Sequence, residues 1–250
     1  MAQFRTVLAA GAAVMALAFA AHAQSVTNVH DPKPSPAITA AVADAGRPAA
    51  DTARDENRKP AMAVAVSGVK PGDVVAELGS GGGYYTRILA KAVGPKGKVL
   101  AIVRDQRAAD GLKAITDAYP NVVVVMDDYT KMTNLPEKPD VIWTTENYHD
   151  FHNANPDMGP FNKAMFDALK PGGVFFVEDH AAAPGAGISV TRTLHRIEPA
   201  AVQQEVTAAG FKLVRTSDVL SHPEDSHVGQ NAEAAVRGKT DRFIMVFRKS

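Results

Sequence analysis

The stretch Val74-Val75-Ala76-Glu77-Leu78-Gly79-Ser80-Gly81-Gly82-Gly83-Tyr84-Tyr85-Thr86 constrains the fold more than any other part of the chain. An apolar run passes an acid, enters a glycine-rich turn and leaves through residues 85–93, which read as a helix. Glycine adopts the left-handed backbone that a sharp turn needs, and it lets a ligand come close to the main chain. The helix behind the turn presents unpaired N–H groups at the end of the strand. Glycine count alone does not separate a ligand cradle from a plain strand–turn–helix; the acid at Glu77 narrows the choice.

Around this unit the pattern alternates. Residues 98–103, 122–126, 140–145 and 174–178 read as strands, with 211–214 and 242–248 as the last two. Residues 107–119, 162–169 and 199–209 read as helices, and Lys170-Pro171-Gly172-Gly173 as a turn into the fifth strand. Such alternation implies a mostly parallel sheet with helices on both faces. Upstream, Ser35-Pro36 is an N-cap followed by proline at the first helical position, and it opens an alanine-rich helix over 37–45. Asp51, Arg54, Asp55 and Arg58 then recur at helical spacing, as a solvated ion-paired face or as a lid over a ligand. Residues 61–69 read as a short helix packing toward the core.

The 250 residues are 46% hydrophobic and 22% charged, with no net charge. That supports one globular domain with a sizeable core, and gives no reason to invoke nucleic acid or an anionic membrane. There is no cysteine, which excludes disulfides, thiolate chemistry and cysteine-bound zinc. Arg5, the apolar run 6–20 and Ala21-His22-Ala23 read as a secretory signal peptide cleaved after Ala23. The run is shorter than the about 20 residues of a membrane span, so no stable membrane insertion is expected after cleavage. The expected organisation is a signal peptide over 1–23, a helical extension over 24–60 and the main domain over 61–250, in a bacterial periplasmic or otherwise exported protein.

In an open α/β sheet, ligands sit beyond the carboxyl ends of strands where the strand order reverses. The residues to watch are Glu77 after the first strand, Glu146-Asn147-Tyr148-His149-Asp150 after the fourth, and Asp179-His180 after the fifth. Six of the eight histidines lie beyond residue 148: His149, His152, His180, His195, His222 and His227.

Glu77-x-Gly79-x-Gly81-x-Gly83 resembles the first motif of the class I S-adenosylmethionine (SAM)-dependent methyltransferases. Further pieces follow in that family's order: residues 121–128, 138–143, 169–177 and 208–211. The resemblance covers residues 70–249. It extends to a subgroup of predicted exported methyltransferases through Gly83-Tyr84-Tyr85-Thr86, Asn147-Tyr148-His149-Asp150 and residues 238–243. It implies a Rossmann-like sheet of seven strands, mostly parallel, with helices on both faces and an antiparallel last strand. It implies SAM as cofactor, and Glu77, Gly79, Ser80, Gly81, Gly83, Asp105, Asp128 and Glu146 as the residues around it. The family's acid at the end of strand two is replaced by Val103, and Asp105 is the carboxylate two positions on.

Methyl transfer from a sulfonium chiefly needs donor and nucleophile held in line, with a base when the acceptor must lose a proton. His149, Asp150 and His180 are the expected catalytic group, acting on a small-molecule acceptor. Arg192, His195 and Arg196 offer an anion clamp or a solvated helix face. His222-Pro223-Glu224-Asp225-Ser226-His227 looks like a metal cluster, but Pro223 denies it a shared helical face, and no metal site is expected. Two other classes stay open: a noncatalytic envelope protein that keeps the fold, and a metal-dependent hydrolase or lyase using His149, His152 and His180.

Overall fold

The computed structural model describes residues 31–155, 157–233 and 236–250. The expected signal peptide lies outside the described residues. Ser35 caps α1 (Pro36–Val42) as expected, its hydroxyl accepting the Ile38 N–H. Two single-turn helices follow, α2 (Ala49–Thr52) and α3 (Asp55–Arg58). Lys59 turns left-handed, and Pro60 opens α4 (Pro60–Ser67).

The alternating part then runs β1 (Val74–Leu78), α5 (Tyr84–Val93), β2 (Lys98–Val103), α6 (Gln106–Gly111), α7 (Lys113–Ala118), β3 (Val122–Met126) and β4 (Val141–Thr145). It continues with α8 (Tyr148–Ala154), α9 (Gly159–Ala168), β5 (Val174–His180), α10 (Thr191–Leu194), α11 (Pro199–Ala208), β6 (Phe211–Ser217) and β7 (Arg242–Lys249). The helix expected over 107–119 is interrupted: α6 closes at Leu112, and Asp105 rather than a later residue caps its start. The segment after β4, to which the sequence assigns no element, forms helix α8.

The seven strands lie in the order β3-β2-β1-β4-β5-β7-β6. β1 to β5 pair in parallel and β7 runs antiparallel between β5 and β6, as the resemblance implies. The order reverses between β1 and β4, so their carboxyl ends frame the crevice where a ligand is expected.

Period-two alternation divides the strand side chains between two apolar layers. Val75, Val99, Trp143 and Phe176 face α1, α4 and α5. Ala76, Leu78, Leu100 and Ile142 face α8, α9 and α11. Trp143 is fully buried and stacks on Phe176 at 4.1 Å between centroids, a core role. Ile38 and Ala41 of α1 join the first layer. The helical extension is thus tied to the sheet by apolar burial as well as by its charges.

Candidate active site

Among the described residues, three hollows open at the carboxyl ends of the strands. The first encloses about 520 Å³ between Gly79, Ser80 and Gly81 of the turn, Val103 and Asp105 after β2, and Tyr129. Gly79 and Gly81 have φ of +66° and +53°. A Cβ at Gly79 would come within 2.9 Å of Asn147 Nδ2, which itself donates to the Gly79 carbonyl. A Cβ at Gly81 would meet nothing within 4 Å. Gly79 is therefore dictated by packing, while Gly81 keeps the hollow clear. Gly83 starts α5 in the left-handed region, and α5 has no side-chain cap, so its positive end is open to an anionic ligand group.

Glu77 supports this turn from below and does not line the hollow. Its Oε2 accepts the Thr86 hydroxyl at 2.6 Å. Burial pushes its carboxyl up to about 7 against that hydrogen bond. On the far wall, Val103 is buried and Asp105 accepts the Ala108 N–H at 2.9 Å to cap α6. Asp105, two positions beyond Val103, lines the same hollow. Asp128 lies outside this hollow: its carboxylate takes the N–H and hydroxyl of Thr130 and pairs with Lys131, and Thr130 with Lys131 holds it down to about 2. Its buried neighbour Asp127 accepts the Asn134 N–H, and the two aspartates border a shallower hollow that shares Arg104 with the first.

The second hollow, about 540 Å³, lies over β4 and β5 and is lined by Arg54, Arg58, Glu146, His180, Arg237 and Arg242. Glu146 sits here, not in the glycine hollow, on a left-handed backbone with φ of +54°. Both its oxygens are engaged, one by Arg242 at 3.0 Å and one by Arg58. Burial would raise it, but Arg58, His180 and Arg242 outweigh burial and hold it below the usual carboxylate range. Arg242 also reaches the fully buried Glu178, whose carboxyl burial pushes up to about 7. Four arginines against one exposed-side carboxylate make this hollow cationic.

The segment expected as a lid packs here. Arg58 stacks over Tyr84 and Tyr85, with its guanidinium carbon 4.9 and 5.8 Å from their centroids. Asp55 accepts the Tyr84 hydroxyl at 2.6 Å and pairs with Arg47, while Asp51 pairs with Arg87 of α5. Asp55 thus pairs within the helical extension, Asp51 with α5 and Arg58 with Glu146 after β4, partners that lie 8, 36 and 88 residues away.

The histidines separate into distinct settings. His149 is buried, with Nδ1 at 2.8 Å from Asp179 Oδ1 and its backbone N–H donating to Asp179 Oδ2. Asp179, not the adjacent Asp150, is thus its close partner; Asp150 stands 3.4 Å from the other ring nitrogen. Burial would lower the imidazole, but Asp179 outweighs it and raises the group. His180 lines the arginine hollow with Nδ1 on Thr240, and burial pushes it down to about 4, leaving it neutral at pH 7. His152 turns to Glu205 at 2.7 Å. The set His149, His152 and His180 therefore does not converge on one metal position. His222 and His227 turn to Glu224 and Asp241. The anion clamp fails at Arg196, which is buried and held by Asp225 at 2.6 Å.

Residues 75–173 match the family model for a methyltransferase domain. The chain has a Rossmann-like methyltransferase fold. Over 107 residues it is 34% identical to protein-L-isoaspartate O-methyltransferase 2 of Archaeoglobus fulgidus, covering 42% of this chain and 44% of that protein. The chain spans less than half the length of the curated relatives it matches. The methyltransferase fold is shared with a SAM-dependent methyltransferase from Aquifex aeolicus, at a TM-score of 0.54 and 21% identity over 72% of this chain and 84% of that one. It is shared with Aeropyrum pernix fibrillarin in complex with SAM, at a TM-score of 0.50 and 16% identity over 74% and 72%.

Proposed function

We propose that the chain binds SAM in the glycine hollow and transfers its methyl group to a small, anionic acceptor in the arginine hollow, as an exported periplasmic protein. The observation that carries the reading is Gly81: a left-handed glycine whose absent side chain leaves open the space between the turn and the end of β2. Gly79, Ser80, Gly81 and Gly83 would hold the cofactor through the backbone, with Glu77 beneath them. Asp105 would take the ribose hydroxyls, with Asp127 and Asp128 toward the base. SAM supplies an electrophilic methyl group when bound. Arg54, Arg58, Arg237 and Arg242 would orient the acceptor's negative group, and Glu146 keeps two of these cations in register.

At a lowered pKa of about 4, His180 is a weak base near neutrality and orients the acceptor rather than deprotonating it. Proton removal then falls to His149 and Asp150, one ring behind it: the His149 and His180 centroids are 6.1 Å apart. The volume of about 540 Å³ and the cover of α2 and α3 favour a small molecule over a protein or RNA chain. Val103 favours a second reading, a binding protein that keeps the fold with weakened cofactor affinity. Calorimetry with SAM and S-adenosylhomocysteine tests the first reading: saturable one-to-one binding is expected, and a folded protein that binds neither supports the second. For export, N-terminal sequencing of periplasmic protein should start at Gln24; an intact Met1 on cytoplasmic protein would contradict it.

A further inference from the structure

One side-chain cluster is absorbed by none of the three hollows. His149 Nε2 and Asp150 Oδ1 stand 3.4 Å apart, and His195 Nδ1 stands 3.4 Å from the same oxygen. The three donor atoms lie within 4.8 Å of one another. Both separations exceed the N–H···O range of about 2.7–3.2 Å, so the three atoms converge without satisfying each other.

Asp179 explains why the convergence is electron-rich. Its carboxylate accepts the backbone N–H groups of His149 and His180, at 2.8 and 2.7 Å. With the same carboxylate 2.8 Å away, His149 Nδ1 carries the ring proton. In that tautomer Nε2 is a bare lone pair, aimed at a carboxylate oxygen and a second imidazole. A carboxylate on one nitrogen and a free lone pair on the other is the outer-shell arrangement of a metal-binding histidine.

The scaffold keeps the three together. His149 and Asp150 are adjacent on α8, and α10, which His195 caps, packs on α8 through Arg192 to the Asn153 carbonyl and Asn153 to the Thr191 carbonyl. His195 has φ of +52°, with its carbonyl held by Asn231. The side chains of His149, Asp150 and His195 are 2%, 49% and 37% exposed, so one side of the cluster faces solvent. Three protein ligands with an open fourth position describe a reactive rather than a sealed zinc site. Two imidazoles suit zinc and its first-row neighbours and do not suit magnesium or calcium.

We propose that His149 Nε2, an Asp150 carboxylate oxygen and His195 Nδ1 bind a divalent transition-metal cation of the zinc type, with Asp179 fixing the His149 tautomer. Beside the arginine hollow, the cation would acidify a bound water or acceptor oxygen, so that with the cation in place this oxygen replaces His149 and Asp150 as the base. Binding of the cation needs no SAM, so its test is independent of the cofactor assignment.

The test is calorimetric titration of the untagged, chelator-stripped mature chain with zinc, without SAM, followed by metal analysis after dialysis. One equivalent of zinc is expected, with no comparable binding of magnesium. His195→Ala and Asp150→Ala, both at partly exposed positions, should weaken zinc at least 100-fold with unchanged circular dichroism. Asp179→Asn should weaken it about 10–100-fold, as loss of an outer-shell partner does. The double variant His222→Ala/His227→Ala should bind as the wild type. No zinc bound by the folded wild type, unchanged affinity in His195→Ala and Asp150→Ala, or loss in the His222/His227 variant would each overturn the site.

Discussion

Replacing Gly81 by valine separates a ligand cradle from a plain turn, because the structure supplies a matched control. Gly81 and Gly72 both hold left-handed backbones, with φ of +53° and +91°, and neither would bring a Cβ within 4 Å of another atom. Gly72 lies in the turn before β1, at the opposite end of that strand, where its N–H donates to the Val93 carbonyl. Valine at either site pays the left-handed penalty of about 1–3 kcal/mol without a clash. In a chain of this size that lowers Tm by about 2–4 °C per kcal/mol, and the two variants should fall alike. Only Gly81→Val puts methyl groups into the hollow. It should lose at least about 100-fold in SAM affinity, or about 2.8 kcal/mol, while Gly72→Val binds as the wild type. Calorimetry and thermal melting on both proteins read the two effects separately. Equal SAM affinity in Gly81→Val and the wild type would refute the cradle, and equal loss in both variants would show that affinity follows stability.

Two further predictions concern the carboxylates at the same crevice. Burial raises Glu77 from 4.5 to about 7, so the folded state holds its proton more tightly than the unfolded chain does. That contribution is complete below about pH 4.5 and disappears as pH rises through 7; the shift corresponds to on the order of 3 kcal/mol. Chemical denaturation should show stability falling across this window, and Glu77→Gln should flatten the slope in part, because Glu178 titrates in the same range; an unchanged slope would contradict the assignment. Asp105→Ala should lose the α6 cap, worth about 1 kcal/mol, together with SAM affinity. Asp105→Asn should keep the cap and still bind SAM more weakly; wild-type affinity in that variant would remove Asp105 from the ribose.

The parts of the fold legible in the sequence are those fixed by short-range chemistry. Ser35-Pro36 announces α1 because the cap and the proline act within one turn. Lys170-Pro171-Gly172-Gly173 announces β5 because Gly172 must be left-handed and a Cβ at Gly173 would come within 2.9 Å of the Lys170 carbonyl. Helix α8 escaped detection because Asn147 provides no side-chain cap and the segment carries two histidines and an aspartate on its short length. The site depends on contacts that no local pattern encodes. Asp179 meets His149 across 30 residues, and Arg58 meets Glu146 across 88. The resemblance implies Glu146 at the cofactor, yet Arg58 and Arg242 hold it in the neighbouring hollow. Asp150 follows His149 in sequence and stands 3.4 Å from its Nε2, but the closer partner, Asp179 on Nδ1, comes from strand β5.

The claim on which the rest depends is that the space between Gly79, Gly81 and Tyr129 holds SAM. Crystals of the mature chain soaked with S-adenosylhomocysteine test it directly. Density for a nucleoside against the Gly79–Gly81 backbone, with its ribose toward Asp105, is the expected result. Density confined to the arginine hollow, or none at the glycine turn in a well-ordered crystal, would contradict the account.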